Sequence, residues 1–233
     1  MIYLTGDTHG DFWRIEKFIF NHETSQNDIM IILGDAGINY YDDMRCEKLK
    51  AYLSRFPLTF LCVHGNHENR PQNILSYEES YWNGGIIYSE KEYPNLLFAK
   101  DGEIYDINGR SFVAIGGAYS IDKTWRIEKG YGWWEDEQPS ELIKQEVEHS
   151  LKQVGNKVDV VLSHTCPYKY VPREKFLKRI VQSEVDNSTE QWLDAIEENL
   201  DYKKWYCGHY HTYKQIDKMH FLFEDIIELD IDI

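Results

Sequence analysis

The 233-residue chain carries 40 Asp and Glu against 25 Lys and Arg, a formal charge of −15, with 42% hydrophobic and 15% aromatic residues. Its length and apolar content suit a single α/β domain over residues 1–233. The charge argues against general nucleic-acid binding, though not against a nucleotide reaching a local site through a metal. Cys46, Cys62, Cys166 and Cys207 are widely spaced with no CxxC pair, which argues against a thiolate zinc site or a disulfide framework. No apolar run approaches the roughly 20 residues of a membrane span, and the first strand begins at once after Met1. The expectation is a soluble, cytoplasmic chain.

Ile2-Tyr3-Leu4 reads as a strand running into Gly6-Asp7-Thr8-His9-Gly10. Asp and His two residues apart in extended backbone project to one side, so both reach one ion. Asp11 is placed to cap a helix bearing Phe12, Ile15, Phe18 and Ile19 on one face. Residues 28–33 form a near-continuous apolar run, as in a strand buried on both faces, ending at Gly34-Asp35-Ala36-Gly37. A helix from about Met44 to Phe56 is stopped by Pro57, and a third buried strand over 58–63 ends at His64-Gly65-Asn66-His67-Glu68. Alternation of strand and helix implies right-handed crossovers in a mostly parallel sheet, with polar residues where ligands bind in such sheets.

From Asn73 to Gly109 the chain is rich in Tyr, Asn, Gly and Glu, with short apolar pieces and an Asn108-Gly109 hairpin signal. This half reads as a second, more antiparallel sheet packed on the first. Residues 111–117 form another buried strand, and 118–139 read as a loop carrying Arg126 and Trp133-Trp134. Trp133-Trp134 suits stacking on a ring or packing that staples the next helix, and 135–137 read as a solvated lead-in. Ser140 caps a helix to about Val154, and residues 158–162 form a strand ending at Ser163-His164. Ser188-Thr189-Glu190-Gln191 has capping-box spacing. Residues 204–207 form a strand ending at Gly208-His209-Tyr210-His211, and residues 220–229 give one or two antiparallel strands.

Five strand-end blocks offer two carboxylates, one amide and several imidazoles, enough for two metal ions with mixed N and O ligands. That donor set suits Mn, Fe, Zn, Co or Ni rather than Ca. Two close metals activate a shared water and clamp a phosphoryl group, which suits hydrolysis of a phosphate ester. Here the sequence resembles the calcineurin-like metallophosphoesterase superfamily, whose DxH, GD, GNH followed by D or E, lone His and GHxH blocks all occur in order between Asp7 and His211. The resemblance implies a four-layer αββα sandwich of two mixed sheets. It implies that Asp7, His9 and His211 hold one metal, that Asn66, His164 and His209 hold the other, and that Asp35 bridges them. It implies that a bridging hydroxide attacks phosphorus in line while His67 stabilises charge or protonates the leaving oxygen. Asn66 would also touch substrate, and Glu68 would support its loop.

Two departures separate the chain from the protein Ser/Thr phosphatases of that superfamily. Asp35 is followed by Ala36-Gly37-Ile38-Asn39, and His64 stands where RGNHE has its arginine. The phosphate-clamping arginines are thus absent from their usual places, and Arg126 and Arg70 are the candidate replacements. No aspartate stands at Ile38 to back the catalytic histidine, which leaves Asp42 or Asp43. The expected substrate is a small phosphomonoester or phosphodiester or a nucleotide. A non-catalytic scaffold and an end-processing nuclease are the alternatives, and the oligomeric state stays open. His22, His149 and His220 lie outside every block.

Overall fold

Each apolar run in the computed structural model places alternate side chains on two buried faces, as a strand's period of two requires. The structure describes residues 1–176 and 181–229. In chain order they form β1 (Ile2–Thr5), α1 (Trp13–Asn21), β2 (Ile29–Ile32), α2 (Met44–Leu53), β3 (Thr59–Cys62), β4 (Glu78–Trp82), β5 (Gly85–Ser89), β6 (Leu96–Ala99) and β7 (Ile104–Asp106). There follow β8 (Ser111–Ile115), α3 (Lys123–Lys129), α4 (Glu141–Gln153), β9 (Val160–Ser163), α5 (Ser188–Glu197), β10 (Lys204–Cys207), β11 (Lys214–Ile216), β12 (Met219–Phe221) and β13 (Ile227–Glu228). One sheet has seven strands in the order β13-β1-β2-β3-β6-β5-β4, and the other six in the order β11-β12-β10-β9-β8-β7.

The two sheets are mixed and pack face to face. Leu4, Ile31 and Leu61 of the first sheet and Phe112, Leu162 and Tyr206 of the second share one buried cluster. The alternate residues Tyr3, Met30 and Phe60 face outward into a cluster with Ile15 and Leu53 of α1 and α2. Val113, Val161 and Trp205 do the same with Val147 of α4 and Leu193 of α5. The layers are therefore helix, sheet, sheet, helix, as expected. No helix of the described residues is long and apolar enough to cross a membrane.

The middle of the chain divides differently from the reading above. β6 pairs in parallel with β3, and the β4–β5 hairpin continues the first sheet; only β7 joins the second. Strand propensity and turns mark the pieces, but the partner is chosen by the free edge of β3, which the sequence does not display. The end of the chain also splits. β11 and β12 form a hairpin in the second sheet with β12 parallel to β10, whereas β13 pairs antiparallel with β1 in the first.

Capping shifts by a residue or two. The Asp11 carboxylate accepts the Trp13 N–H at 3.0 Å, as a cap should. At α5 the cap is not Ser188: its N–H donates to Asp186 Oδ1 at 2.9 Å, and Glu190 turns inward to accept from the Thr165 hydroxyl at 2.7 Å.

Leu162 sits between the sheets two residues before His164 and is fully buried. Leu162→Ala is expected to lower unfolding stability by about 2–5 kcal/mol, read as a lower denaturation midpoint with an unchanged denaturant slope.

Candidate metal centre

β1, β2 and β3 are parallel neighbours in one sheet, and β9 and β10 in the other. The loops leaving them carry Asp7 and His9, Asp35, Asn66 and His67, His164, and His209 and His211. The structure brings these side chains together. Asp7, His9 and His211 offer ligand atoms within 4.8 Å of one another, as do His9, Asp35 and His67, and Asp7, Asp35 and His164. Asn66 adjoins them, with Oδ1 2.8 Å from His164 Nε2. The His209 ring stands 4.9 Å from the His164 ring, centroid to centroid.

The loops reverse abruptly to achieve this. His9, Asp35, His209 and His211 all adopt positive φ, between +46° and +64°. That conformation is costly for residues with a Cβ and gathers at functional sites. Backbone hydrogen bonds hold it. Thr8 and His9 N–H both donate to the Asp35 carbonyl, at 3.2 and 2.7 Å. His67 N–H donates to Asp35 Oδ1 at 2.7 Å, and His209 N–H to Asp7 Oδ1 at 2.9 Å. The glycines ahead of the blocks leave room for the carboxylates. A Cβ on Gly208 would lie 2.3 Å from Asp7 Oδ1, and one on Gly65 2.0 Å from Asp35 Oδ1.

The cluster is electrostatically polarised. Burial would push the Asp7 carboxyl up, but the His211 hydrogen bond at 3.2 Å and the charges of His164 and His9 hold it below the usual range. The same hydrogen bond raises His211. Burial, together with the neighbouring His164, pushes His209 well down, and burial also lowers His67. Burial and then the Asp35 charge push Glu68 up to about 8, while it accepts the Gly65 N–H at 3.2 Å in its loop-supporting place.

The buried polar atoms fit a cation. His164 has Nδ1 2.8 Å from the Leu33 carbonyl oxygen and Nε2 2.8 Å from Asn66 Oδ1, while the Asn66 amide nitrogen donates to Ser120 Oγ at 2.7 Å. Either neutral tautomer of His164 therefore aims one ring lone pair at an oxygen, and the Nδ1–H form aims it at Asn66. In that form the Nε2 lone pair and Asn66 Oδ1 lie side by side, placed to share one cation. His9 Nε2 and His211 Nε2 meet similarly at 3.0 Å.

His67 is held from α3. Arg126 Nη2 donates to His67 Nδ1 at 2.7 Å, and Asp122 Oδ1 lies 3.7 Å from His67 Nε2. The carboxylate beside the histidine is thus Asp122, not Asp42 or Asp43. Asp43 instead caps α2, accepting the Arg45 N–H at 2.8 Å, and Asp42 lines a separate cavity beside Tyr40 and Trp134. Arg126 Nε also donates to Asp122 Oδ2 at 2.9 Å. Arg70 is turned away from these ligands: its guanidinium is buried on Asp101 at 2.6 Å and on the Asp136 carbonyl at 2.8 Å, and it borders a different cavity.

The Trp133 region supports the centre from behind. Trp133 Nε1–H donates to Glu137 Oε2 at 2.8 Å, Glu137 Oε1 accepts the Ser120 N–H at 3.2 Å, and Ser120 holds the Asn66 amide. Glu137 is buried, not part of a solvated lead-in, and burial raises its carboxyl. Trp134 meets Tyr40 edge-on at 5.8 Å. Sequence reasoning also missed Asp122 and Glu190. Gly130, at φ +70° as the C-cap of α3, is the signal that would have revealed that helix.

A cleft of about 530 Å³ opens over the centre, lined at its floor by Asp35, Asn66, His67, His209 and His211. Nitrogen and oxygen donors gathered at the strand ends of a two-sheet sandwich form a candidate metal centre. The family model for calcineurin-like phosphoesterases matches residues 1–213, and the chain belongs to that family. It is accordingly a metal-dependent phosphoesterase. Among solved structures, phosphopantetheinyl hydrolase (PptH) from Mycobacterium tuberculosis is similar at 13% identity, over 95% of this chain and 87% of that one, with a TM-score of 0.50, a likeness of fold. The protein of unknown function AQ665 from Aquifex aeolicus matches at 14% identity over 73% of this chain and 81% of that one, with a TM-score of 0.34. No curated protein matches.

Two outcomes test this geometry. Gly208→Ala is expected to weaken divalent-metal affinity about 10–100-fold by displacing Asp7, read by titration of the metal-free protein. Burial also pushes the cleft residue Glu190 up to about 7. Its folded value exceeds its unfolded one, so its stabilising contribution is complete below about pH 4 and lost as pH rises through about 7. Glu190→Gln is expected to lose less Tm than the wild type between pH 5 and pH 8, measured by thermal melts.

Proposed function

We propose that the chain hydrolyses small phosphate esters at two divalent metal ions, within one domain. Asp7, His9 and His211 would hold one ion and Asn66, His164 and His209 the other, with Asp35 between them. The observation that carries this reading is the overlap of the three ligand groups, in which Asp7, His9 and Asp35 each serve twice. The nitrogen and oxygen donor set suits Mn, Fe, Zn, Co or Ni. Such ions supply Lewis acidity toward phosphoryl oxygens and activate water for in-line attack.

The protein's own groups do the rest. Asp35 is oriented by the His67 N–H, which keeps its other oxygen free for the cluster. The Arg126 N–H on His67 Nδ1 leaves the neutral ring with its proton on Nε2. From there the ring is placed to donate a hydrogen bond that stabilises negative charge on a phosphoryl or leaving oxygen, with the Asp122 carboxylate 3.7 Å from Nε2. Arg126, which also donates to Tyr40 and to the Gly132 carbonyl, fixes this histidine and adds positive potential where the phosphoryl group sits. Four buried free cysteines suit a reducing, cytoplasmic setting.

Metal-stripped protein is expected to regain turnover of p-nitrophenyl phosphate or bis-p-nitrophenyl phosphate when Mn, Ni, Co, Zn or Mg is returned. Asp35→Asn and His67→Ala should each lower kcat by about 10²–10⁴-fold with the fold retained by circular dichroism. Undiminished turnover in either variant would remove that residue from the site, and no turnover with any metal on either ester would overturn the reading.

A further inference from the structure

The ligand histidines are held in different ways. His164 is buried, and its Nδ1 is anchored 2.8 Å from the Leu33 carbonyl oxygen. His209 meets the rings of His164 and Tyr210, each 4.9 Å away from centroid to centroid. His211 stands at the open side of the cluster. Its side chain is 48% exposed and its backbone lies at φ +46°. Its ring contacts to polar atoms of the described residues both fall on Nε2, with Asp7 Oδ2 at 3.2 Å and His9 Nε2 at 3.0 Å. A metal-binding histidine normally has its ring plane fixed through the nitrogen that does not ligate.

Phe223 covers the face of His211 instead. The two rings stack 4.4 Å apart, centroid to centroid, with 14° between their planes. The torsion that turns an imidazole is soft, and the ligating lone pair lies in the ring plane, so a stacked neighbour decides where that lone pair points. Phe223 is in turn fixed on the strand that delivers Asp7. Its carbonyl accepts the Gly6 N–H at 3.1 Å and the Thr5 hydroxyl at 3.3 Å, and a Cβ on Gly6 would lie 2.6 Å from its Cα. Arg14 of α1 steadies the same turn, its Nη2 donating to the Gly6 and Asp7 carbonyls at 2.7 Å each. Phe223 thus registers the His211 ring against the backbone beside Asp7, a ligand 204 positions away in the chain. It lies beyond residues 1–213, which the family model matches.

We infer that Phe223 is a positioning residue: by stacking on His211 it sets the plane of that ring, and with it the affinity of the ion that Asp7, His9 and His211 would share. The inference rests on the two-ion reading above and adds that the two ions depend on different supports. The ion of Asn66, His164 and His209 draws on the buried seam between the sheets. The ion of Asp7, His9 and His211 draws on an aromatic ring supplied by the segment after β12.

Calorimetric titration of the metal-free protein with Mn tests this without any turnover. The wild type is expected to take two ions. Phe223→Ala should bind one as the wild type does and the other about tenfold or more weakly, the usual cost of losing an outer support. Phe223→Tyr keeps a flat ring on His211 and should restore wild-type binding, whereas Phe223→Leu keeps only apolar bulk and should not. Ile227→Ala removes packing of β13 on the cluster between the sheets; it should lower Tm and leave both affinities unchanged. Wild-type binding in Phe223→Leu, equal weakening of both ions in Phe223→Ala, or Phe223→Tyr binding no better than Phe223→Leu would each overturn the inference. So would a loss in Ile227→Ala as large as that in Phe223→Ala, the mark of a general loosening of the terminal strand. The wild type separates the two failures: with two ions bound, such a result removes only the role of Phe223, whereas fewer than two ions at saturating Mn removes the two-ion reading and this inference with it.

Discussion

In the seam between the two sheets, the Asn66 amide oxygen and the His164 ring face each other at 2.8 Å with no solvent between them. Both partners are pinned from behind, His164 on the Leu33 carbonyl and Asn66 on Ser120. Neither can turn away, so Asn66 Oδ1 and His164 Nε2 stay side by side, placed to share one cation. A fold tolerates such a contact only if the surrounding structure is rigid enough to impose it. The sandwich supplies that rigidity: β3 and β9, which lead to these residues, are buried on both faces and paired on both edges.

The supporting shell reaches outward in two directions. One line runs from Asn66 through Ser120 and Glu137 to the Trp133 indole, so a surface-lying aromatic segment ends up orienting a buried amide. The other runs from His67 to Asp122, at the N-cap of α3, and to Arg126 within it, a helix of seven residues with none buried. The first line is locked by burial. The second rests on polar and charged contacts from a helix with no buried residue and is the softer support.

The centre was legible in the sequence because its chemistry is local: each block is a strand end, a glycine and a ligand side chain, and a parallel sheet carries every strand end to one edge. The alternation of Ile29 and Ile31 with Met30 and Ile32 likewise announced a strand buried on both sides. What could not be read depends on partners distant in the chain. Arg70 looked free three residues after His67, but Asp101 claims it. Glu190 sat where a capping box would use it, yet Thr165 draws it inward. Asp122 was hidden because α3 has no apolar stripe to reveal it. The Asn108-Gly109 turn was visible as the hairpin of β7 and β8, whereas the β4–β5 hairpin was not read, and which sheet it extends is decided by the unpaired edge of β6.

The pairing of β13 with β1 ties residues more than two hundred positions apart. Leu229 N–H donates to the Ile2 carbonyl, Gly6 N–H to the Phe223 carbonyl, and the Thr5 hydroxyl to the Asp225 carbonyl. The strand that delivers Asp7 and His9 is thus an open edge until residues 223–229 arrive. Until then that edge is exposed, a template for pairing with another chain. The order of securing therefore departs from the order of synthesis: the first block of the metal centre to emerge is the last to be secured.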